Sequence, residues 1–361
     1  MCLSKAHREA AVILADRAFG KMEGKTANCL VMFGRRYQIV AVIDESKAGG
    51  DAGEVLGIGK KNIPIVSNLT EALRHKPKAL VIGIAPPGGQ LPEEWKKIIR
   101  QAIRNRLDVV NGLHFFLGDQ REFSKLARKH RTKFFDVRKP PKDLRILNGK
   151  SREVKLPVVA VLATDAAAGK NVVMTELTME AERRGYAPGF VATGQTTIMM
   201  GCDAGAVIDA IPGDFMSGQT ERMVLDVASM GKDIIFVEGQ ASLSHPAYGQ
   251  ESLAILYGAW PDAVVLVHDP FRKEREGFPQ FGVPEPRDEI RMIETVCPKT
   301  KVVGVAINGY LRTDEEIMAA IRRMEGETNL PATDVLRFGM RGLFDAIILR
   351  LEDVGKALTK K

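Results

Sequence analysis

The stretch from Pro157 to Glu180, PVVAVLATDAAAGKNVVMTELTME, constrains this chain more than any other. A β-branched apolar run (Val158, Val159, Val161, Leu162) enters a loop of small residues ending in Gly169 and Lys170, and a helix-compatible segment follows at once. Strand, small-residue loop and helix in that order make a phosphate cradle. Small residues let backbone N–H groups close on phosphate oxygens, the helix N-terminus adds partial positive charge, and lysine adds a full one. The candidate cofactor-binding residues are therefore Thr164, Asp165, Ala166, Ala167, Ala168, Gly169, Lys170 and Asn171, with Lys170 foremost. Ala163 stands where a nucleotide hydrolase has its first glycine, and Asn171 takes the Ser/Thr place whose hydroxyl binds Mg²⁺. The loop thus predicts phosphate binding, and its two departures weigh against ATP turnover.

A chain of 361 residues exceeds one comfortable core and predicts two domains. The second starts at the cradle, with strands expected at 158–162, 189–192, 234–237, 263–267, 301–307 and 335–338 and a closing helix from Arg341 to Leu358. That alternation is a P-loop α/β architecture over residues 150–361. Residues 1–149 repeat β-α units and predict a doubly wound, Rossmann-like sheet, with strands at 39–43, 63–66, 79–84 and 108–111. Asp44 at the end of the first of these strands sits where such folds place ligand-binding groups, but Gly57 and Gly59 do not complete a dinucleotide fingerprint. Ser4–Phe19 spaces charge and apolar residues as a helix does, and GKMEGKTANCL reads as a turn opening a helix. The loop APPGGQLP, with Gly88 and Gly89, leads into a helix from Pro92. The basic stretch 133–155, with Pro140, Pro141 and Asn148-Gly149, breaks the pattern and reads as the connection.

Charge is uneven along the chain. Residues 1–150 carry 29 Lys+Arg against 15 Asp+Glu and the remainder 23 against 30, so a basic half of +14 faces an acidic half of −7 within the total of +7. No aromatics interleave with the basic residues and no zinc finger is spelled out, so the expected partner is an anionic small molecule rather than nucleic acid. No apolar run is long enough to span a bilayer and the N-terminus lacks a signal-peptide core, which predicts no membrane partner and a cytoplasmic location. The four cysteines form no Cys-x-x-Cys pair and the six histidines no metal-ligand spacing; neither a disulfide framework nor a metal site is expected.

Other strand ends supply candidate chemistry. IIFVEGQASLSHPAYG puts Glu238 at the end of a strand beside the cradle, where it could orient an amine, a water or a metal, and follows it with Ser242, Ser244 and His245. His245 is a candidate general base, because an imidazole titrates near neutrality. ATGQTTIMMG offers Gln195 and Thr196 as substrate-binding groups, CDAGAVIDAIPGDFMSGQTER offers Arg222, and VLVHDPFRKEREGFP offers His268, Asp269 and Arg272. Arginine suits a bidentate grip on a carboxylate.

In the order AVIDESKAG, VIGIAPPGGQLP, DVVNGLH, DVRKPP, ATDAAAGK, TGQTTIMMG, DAIPGDF and VEGQASLSHPAYG, the chain resembles the DgcN-like family over nearly its full length. The resemblance implies an N-terminal Rossmann-like domain, a C-terminal P-loop domain, and N-acetylation of a D-amino acid, D-glutamate in particular, from acetyl-CoA. The loop and Lys170 would then hold the acetyl-CoA phosphates, Arg272 or Arg222 the substrate carboxylate, and His245 or Glu238 would take the ammonium proton. The P-loop half also looks like dethiobiotin synthetase, which shares Thr-Asp-x-x-x-Gly-Lys and a strand-borne Val-Glu-Gly; it implies an ATP- and Mg²⁺-dependent ligase or kinase as the alternative. A non-catalytic nucleotide-binding protein is the third reading, and a homo-oligomer is the expected state.

Overall fold

A computed structural model describes residues 8–84 and 91–358. Its contacts divide the chain into two units: residues up to Pro140 together with Gln195–Cys202, and residues 141–194 with 203–361.

The first unit is built from β1 (Glu9–Leu14), α1 (Lys25–Phe33), β2 (Tyr37–Ile43), α2 (Ala52–Val55), β3 (Ile65–Val66), α3 (Leu69–Ala72), β4 (Ala79–Ile82), α4 (Glu93–Arg104), β5 (Asp108–Asn111), α5 (Arg121–His130) and β6 (Phe134–Asp136). The strands are parallel, in the order β3-β2-β1-β4-β5-β6. This is the doubly wound dinucleotide-fold order, with its switch point between β1 and β4. The helix expected over Ser4–Phe19 is instead the central strand β1. Ala11 to Leu14 are buried, so this run obeys the continuous apolar pattern of a parallel strand covered on both faces. The helical spacing came from charged residues at its two ends; residues 1–7 and the Gly88-Gly89 loop lie outside the described residues. The stretch read as a connection contributes β6, whose Asp136 accepts hydrogen bonds from Asn111 Nδ2 and the amides of Leu117 and Gly118.

The second unit contains β7 (Val158–Ala163), α6 (Lys170–Arg183) and β8 (Pro188–Ala192), and the chain then enters α7 (Gln195–Met200), which clusters with the first unit. It returns for β9 (Ala204–Gly205), α8 (Gly213–Ala228), β10 (Ile234–Glu238), α9 (Gly249–Ala259) and β11 (Ala263–His268). A hairpin of β12 (Glu274–Arg275) and β13 (Phe278–Gly282) follows, then α10 (Pro286–Val296), β14 (Lys301–Ile307), α11 (Asp314–Thr328), β15 (Ala332–Thr333) and α12 (Arg341–Asp353). The large sheet is parallel, in the order β15-β14-β11-β7-β10-β8-β9, so the cradle strand β7 is central. All six β7 side chains are buried. Each fully buried Val or Leu there stabilises the unit by roughly 1.5–3 kcal/mol, which fixes the position of the loop above it. The strand expected at 335–338 is absent. Asp334 Oδ1 accepts the amides of Leu336 and Arg337, so the backbone curls into an Asx turn after β15.

Helices α8 and α9 touch through backbone. A Cβ at Gly258 would lie 2.4 Å from Ser217 O and 2.5 Å from Thr220 Cβ, whereas one at Gly326 in α11 would meet nothing within 4 Å. Gly258→Ala is expected to lower stability by roughly 1–3 kcal/mol through overpacking, while Gly326→Ala is expected to raise it by up to about 1 kcal/mol. Denaturant titration of the two variants measures both signs.

Candidate functional site

Between β7 and α6 the chain turns through Ala167 at φ 50° and Gly169 at φ 110°. The latter angle suits glycine and little else. Lys170 Nζ donates to Asp165 O at 3.0 Å, and Arg272 donates from Nη1 to Ala166 O at 2.8 Å and from Nη2 to Ala167 O at 3.3 Å. Three successive carbonyls are thus held by cationic donors. Among the described residues the amides of Ala166, Ala167, Ala168 and Gly169 make no hydrogen bond. Their positive dipole ends, the start of α6 and the buried Lys170 form an anion cradle.

The neighbouring strand ends brace this loop. From β11, His268 Nδ1 pairs with Thr164 Oγ1 at 2.9 Å. Burial first, then Arg323 and Arg272, depress the His268 pKa to about 4, so the ring is neutral. After β14, Asn308 donates its amide to His268 O, and its Nδ2 would lie 3.8 Å from a Cβ placed on Gly169. At the end of β10, Glu238 Oε2 accepts the amides of Thr193 at 2.8 Å and Gly194 at 2.9 Å. Glu238 therefore ties the end of β8 to β10.

Asp165 is the hub on the other side. It is buried; Oδ2 accepts from Arg272 Nη1 and the Glu276 amide, both at 2.9 Å, while Oδ1 faces His245 Nε2 at 3.5 Å and Arg275 Nη1 at 3.9 Å. His245 Nδ1 accepts the amides of Ala247 and Tyr248, each at 3.2 Å. That assigns its proton to Nε2, toward Asp165. The ring stacks on Tyr248 and meets the edge of Phe278, and its side chain is fully buried. Burial lowers its pKa, Asp165 opposes that, and Arg275 and Lys170 reinforce it. With Nδ1 accepting two amides and Nε2 facing the Asp165 carboxylate at 3.5 Å without a hydrogen bond, the imidazole lies between the phosphate loop and the β10–α9 loop.

Of the residues singled out in the sequence, the structure brings together Thr164 to Asn171, His268, Arg272 and His245 around the loop, with Glu238 one strand away. Arg272 shapes the loop with donors already committed to it. Arg222 lies elsewhere, on α8, where Nη1 pairs with Asp143 at 2.7 Å. Gln195 and Thr196 belong to α7 and cluster with the first unit, where the Thr196 hydroxyl bonds that of Thr26. Sequence reasoning missed Arg275 and Glu289. Arg275 Nη1 donates to Ser242 Oγ at 2.9 Å and Nη2 to Ser244 Oγ at 2.9 Å, while Glu289 accepts from Ser244 Oγ at 2.7 Å. Burial raises the Glu289 pKa against those hydrogen bonds. The signal for Arg275 was its place in RKEREG after a strand end; Glu289 sits unmarked in a helix. No helix of the described residues is long and apolar enough to cross a membrane, and none of their His, Cys, Asp or Glu side chains group in threes able to hold a metal.

Fold and site define a P-loop protein carrying a Rossmann-like domain ahead of the P-loop domain. Residues 145–344 match the family described as "Domain of unknown function (DUF1611_C) P-loop domain", and residues 45–140 match "Domain of unknown function (DUF1611_N) Rossmann-like domain". The chain belongs to this DUF1611 family, which is the DgcN-like family of the sequence resemblance. It is 35% identical over 283 residues to a D-glutamate N-acetyltransferase of Tritonibacter scottomollicae, covering 77% of this chain and 84% of the relative. A second D-glutamate N-acetyltransferase, of a Pseudoalteromonas species, is 32% identical over 288 residues, covering 79% and 84%. A crystal structure of a DUF1611 family protein from Anabaena variabilis superposes with a TM-score of 0.88 at 34% identity, covering 95% of this chain and all of that one.

The hydrogen bonding of His245 gives two expectations. His245→Asn, whose Oδ1 can replace Nδ1 as acceptor, is expected to retain its thermal midpoint more nearly than His245→Ala, which takes the acceptor from two part-buried amides at a cost of roughly 0.5–1.5 kcal/mol for each hydrogen bond lost. Calorimetric melting of both variants checks the order. For His268 the folded pKa of about 4 lies below the unfolded value of 6.5. The unfolded chain therefore binds the extra proton, and the contribution of this residue is fully present above pH 6.5 and lost as pH falls toward 4. The loss is on the order of 3 kcal/mol. Denaturant titrations between pH 7 and pH 4 are expected to show a shallower decline for His268→Gln than for the parent protein.

Proposed function

We propose that this protein is an N-acetyltransferase that moves the acetyl group of acetyl-CoA to the amine of a D-amino acid of the D-glutamate type. Two relatives bearing that activity in their names, aligned over more than three quarters of the chain, support the reading. The observation that carries it is the phosphate loop itself, whose carbonyls are neutralised from outside and whose amides are uncommitted. Such a loop suits the phosphates of a coenzyme A ester, and Asn171 in the Ser/Thr place is no handicap where no γ-phosphate is transferred.

The chain's own residues supply binding and orientation. Lys170 and the amides of Ala166 to Gly169 hold the anionic end of the donor, and Glu238 sets the backbone of the adjoining strand end, where the acceptor is presented. The amine nitrogen attacks the thioester carbonyl carbon, the C–N bond forms as the C–S bond breaks, coenzyme A leaves as the thiol, and the ammonium releases one net proton to solvent. Holding the two reactants in register contributes the larger share of the acceleration.

Incubating the protein with D-glutamate and acetyl-CoA is expected to release free thiol and N-acetylated product. Lys170→Ala is expected to raise the KM for acetyl-CoA by about 10- to 100-fold, as removal of a charge-assisted contact worth about 1.5–3 kcal/mol does. Release of ADP from ATP and Mg²⁺ in place of thiol from acetyl-CoA would overturn the reading in favour of a ligase or kinase.

A further inference from the structure

Arg275, on β12, is buried within the P-loop unit. Its Nη1 donates to Thr164 O at 3.3 Å and to Ser242 Oγ at 2.9 Å, and its Nη2 to Ser244 O at 3.2 Å and to Ser244 Oγ at 2.9 Å. The acceptors belong to two loops, one leaving β7 and one leaving β10, whose strands are neighbours in the sheet. The residue that joins them arrives on a third segment, the hairpin that follows β11.

A buried guanidinium destabilises a fold unless its donors are paired and its charge is met. Here each terminal nitrogen has two acceptors. The charge is met by Asp165 Oδ1 at 3.9 Å and, through the Ser244 hydroxyl, by Glu289 of α10, which also accepts the Leu243 amide. The hairpin is held beside this cluster as well: the Glu276 amide donates to Asp165 Oδ2, and Phe278 meets His245 and Tyr248 edge to face.

Arg275 bears directly on the phosphate loop. With it, four successive carbonyls are held by cations: Thr164 by Arg275, Asp165 by Lys170, and Ala166 and Ala167 by Arg272. In a trans peptide the carbonyl and the following N–H point in opposite directions. Holding the carbonyls of 164 to 167 therefore turns the amides of 165 to 168 to the other side. Arg272 sets the later peptides of that run, and Arg275 sets the one with which it starts.

We propose that Arg275 is a positioning residue that joins the phosphate loop to the β10–α9 loop and fixes the peptide from which the anion cradle begins. Arginine is needed because a planar fork reaches both loops at once, whereas the compact ammonium of lysine serves one. The kinetic part of this proposal rests on the acetyltransferase reading; the joint between the loops does not.

The test compares the full-length protein with Arg275→Lys and with the Ser242→Ala/Ser244→Ala double variant, which removes the hydroxyl acceptors and leaves Arg275 in place. Calorimetric titration with inorganic pyrophosphate is expected to give saturable binding by the parent, about tenfold weaker in Arg275→Lys and at least about threefold weaker in the serine variant. Hydrogen exchange in Arg275→Lys is expected to accelerate at least about tenfold over residues 243–249, with 314–328 in α11 unchanged as the control for folding. The kcat for acetyl transfer is expected to fall about tenfold in Arg275→Lys, with the KM for D-glutamate unchanged within about twofold. A purely structural role would lower the melting temperature and leave pyrophosphate affinity and kcat per folded molecule at the parent's values. That result, unchanged exchange over 243–249, or a parent that does not bind pyrophosphate overturns the proposal. If Arg275→Lys does not fold, the serine variant decides by its pyrophosphate affinity alone. A parent that binds pyrophosphate and transfers no acetyl group sinks the functional reading instead, and binding and exchange still decide the joint.

Discussion

The structure turns on how the carbonyl groups of one loop are satisfied. A chain passing from β7 into α6 must place the peptide dipoles of 165–169 somewhere, and a loop with inward carbonyls would repel an anion. Here Lys170 takes the first carbonyl, and Arg272 takes the next two together with the Asp165 carboxylate. Those cations come from opposite directions in sequence, one from the loop's own helix and one from beyond β11. The loop's shape therefore depends on the completed sheet, because only pairing of β11 with β7 brings Arg272 within reach. Local sequence supplies flexibility at Gly169; tertiary structure supplies the sign of the electrostatic field.

The acids at strand ends follow a common logic. Asp44, Asp136, Glu238 and Asp334 each end or follow a strand at a carboxyl edge, and each spends its oxygens on backbone amides of a neighbouring turn. A carboxylate accepting two or three N–H bonds is a stiff joint. A parallel sheet needs such joints because its loops leave the strand ends with unpaired amides. In this family member the acids that would mark ligand sites in a doubly wound fold serve to hold the loops around them.

That is also why the fold was more legible than the chemistry. Runs such as Val158–Ala163 and Ala263–Val267 announce buried parallel strands through composition alone, and a glycine-lysine turn announces the cradle. β1 was concealed because helical and strand patterns both fit Ala10 to Leu14, and only burial on both faces decides between them. The 335–338 stretch misled because an aspartate upstream turned an apolar segment into a loop. Site roles were harder still. Nothing in SLSH says that His245 Nδ1 is taken up by two amides of its own loop, and nothing in TGQTTIMM says that the helix clusters with the first unit.

The charge balance around Asp165 gives the cradle its direction. The Asp165 carboxylate lies 2.9 Å from Arg272 and 3.9 Å from Arg275, Lys170 donates to the Asp165 carbonyl, and burial lowers the pKa of the nearby His245, with Asp165 opposing and Arg275 and Lys170 reinforcing. Arg272 also lies 3.6 Å from Asp269, and the Ser244 hydroxyl links Arg275 to Glu289, so these cations are matched by several carboxylates and the free amides add their dipoles to the cluster. An anionic ligand that met those amides in the folded state alone would stabilise the P-loop domain by mass action.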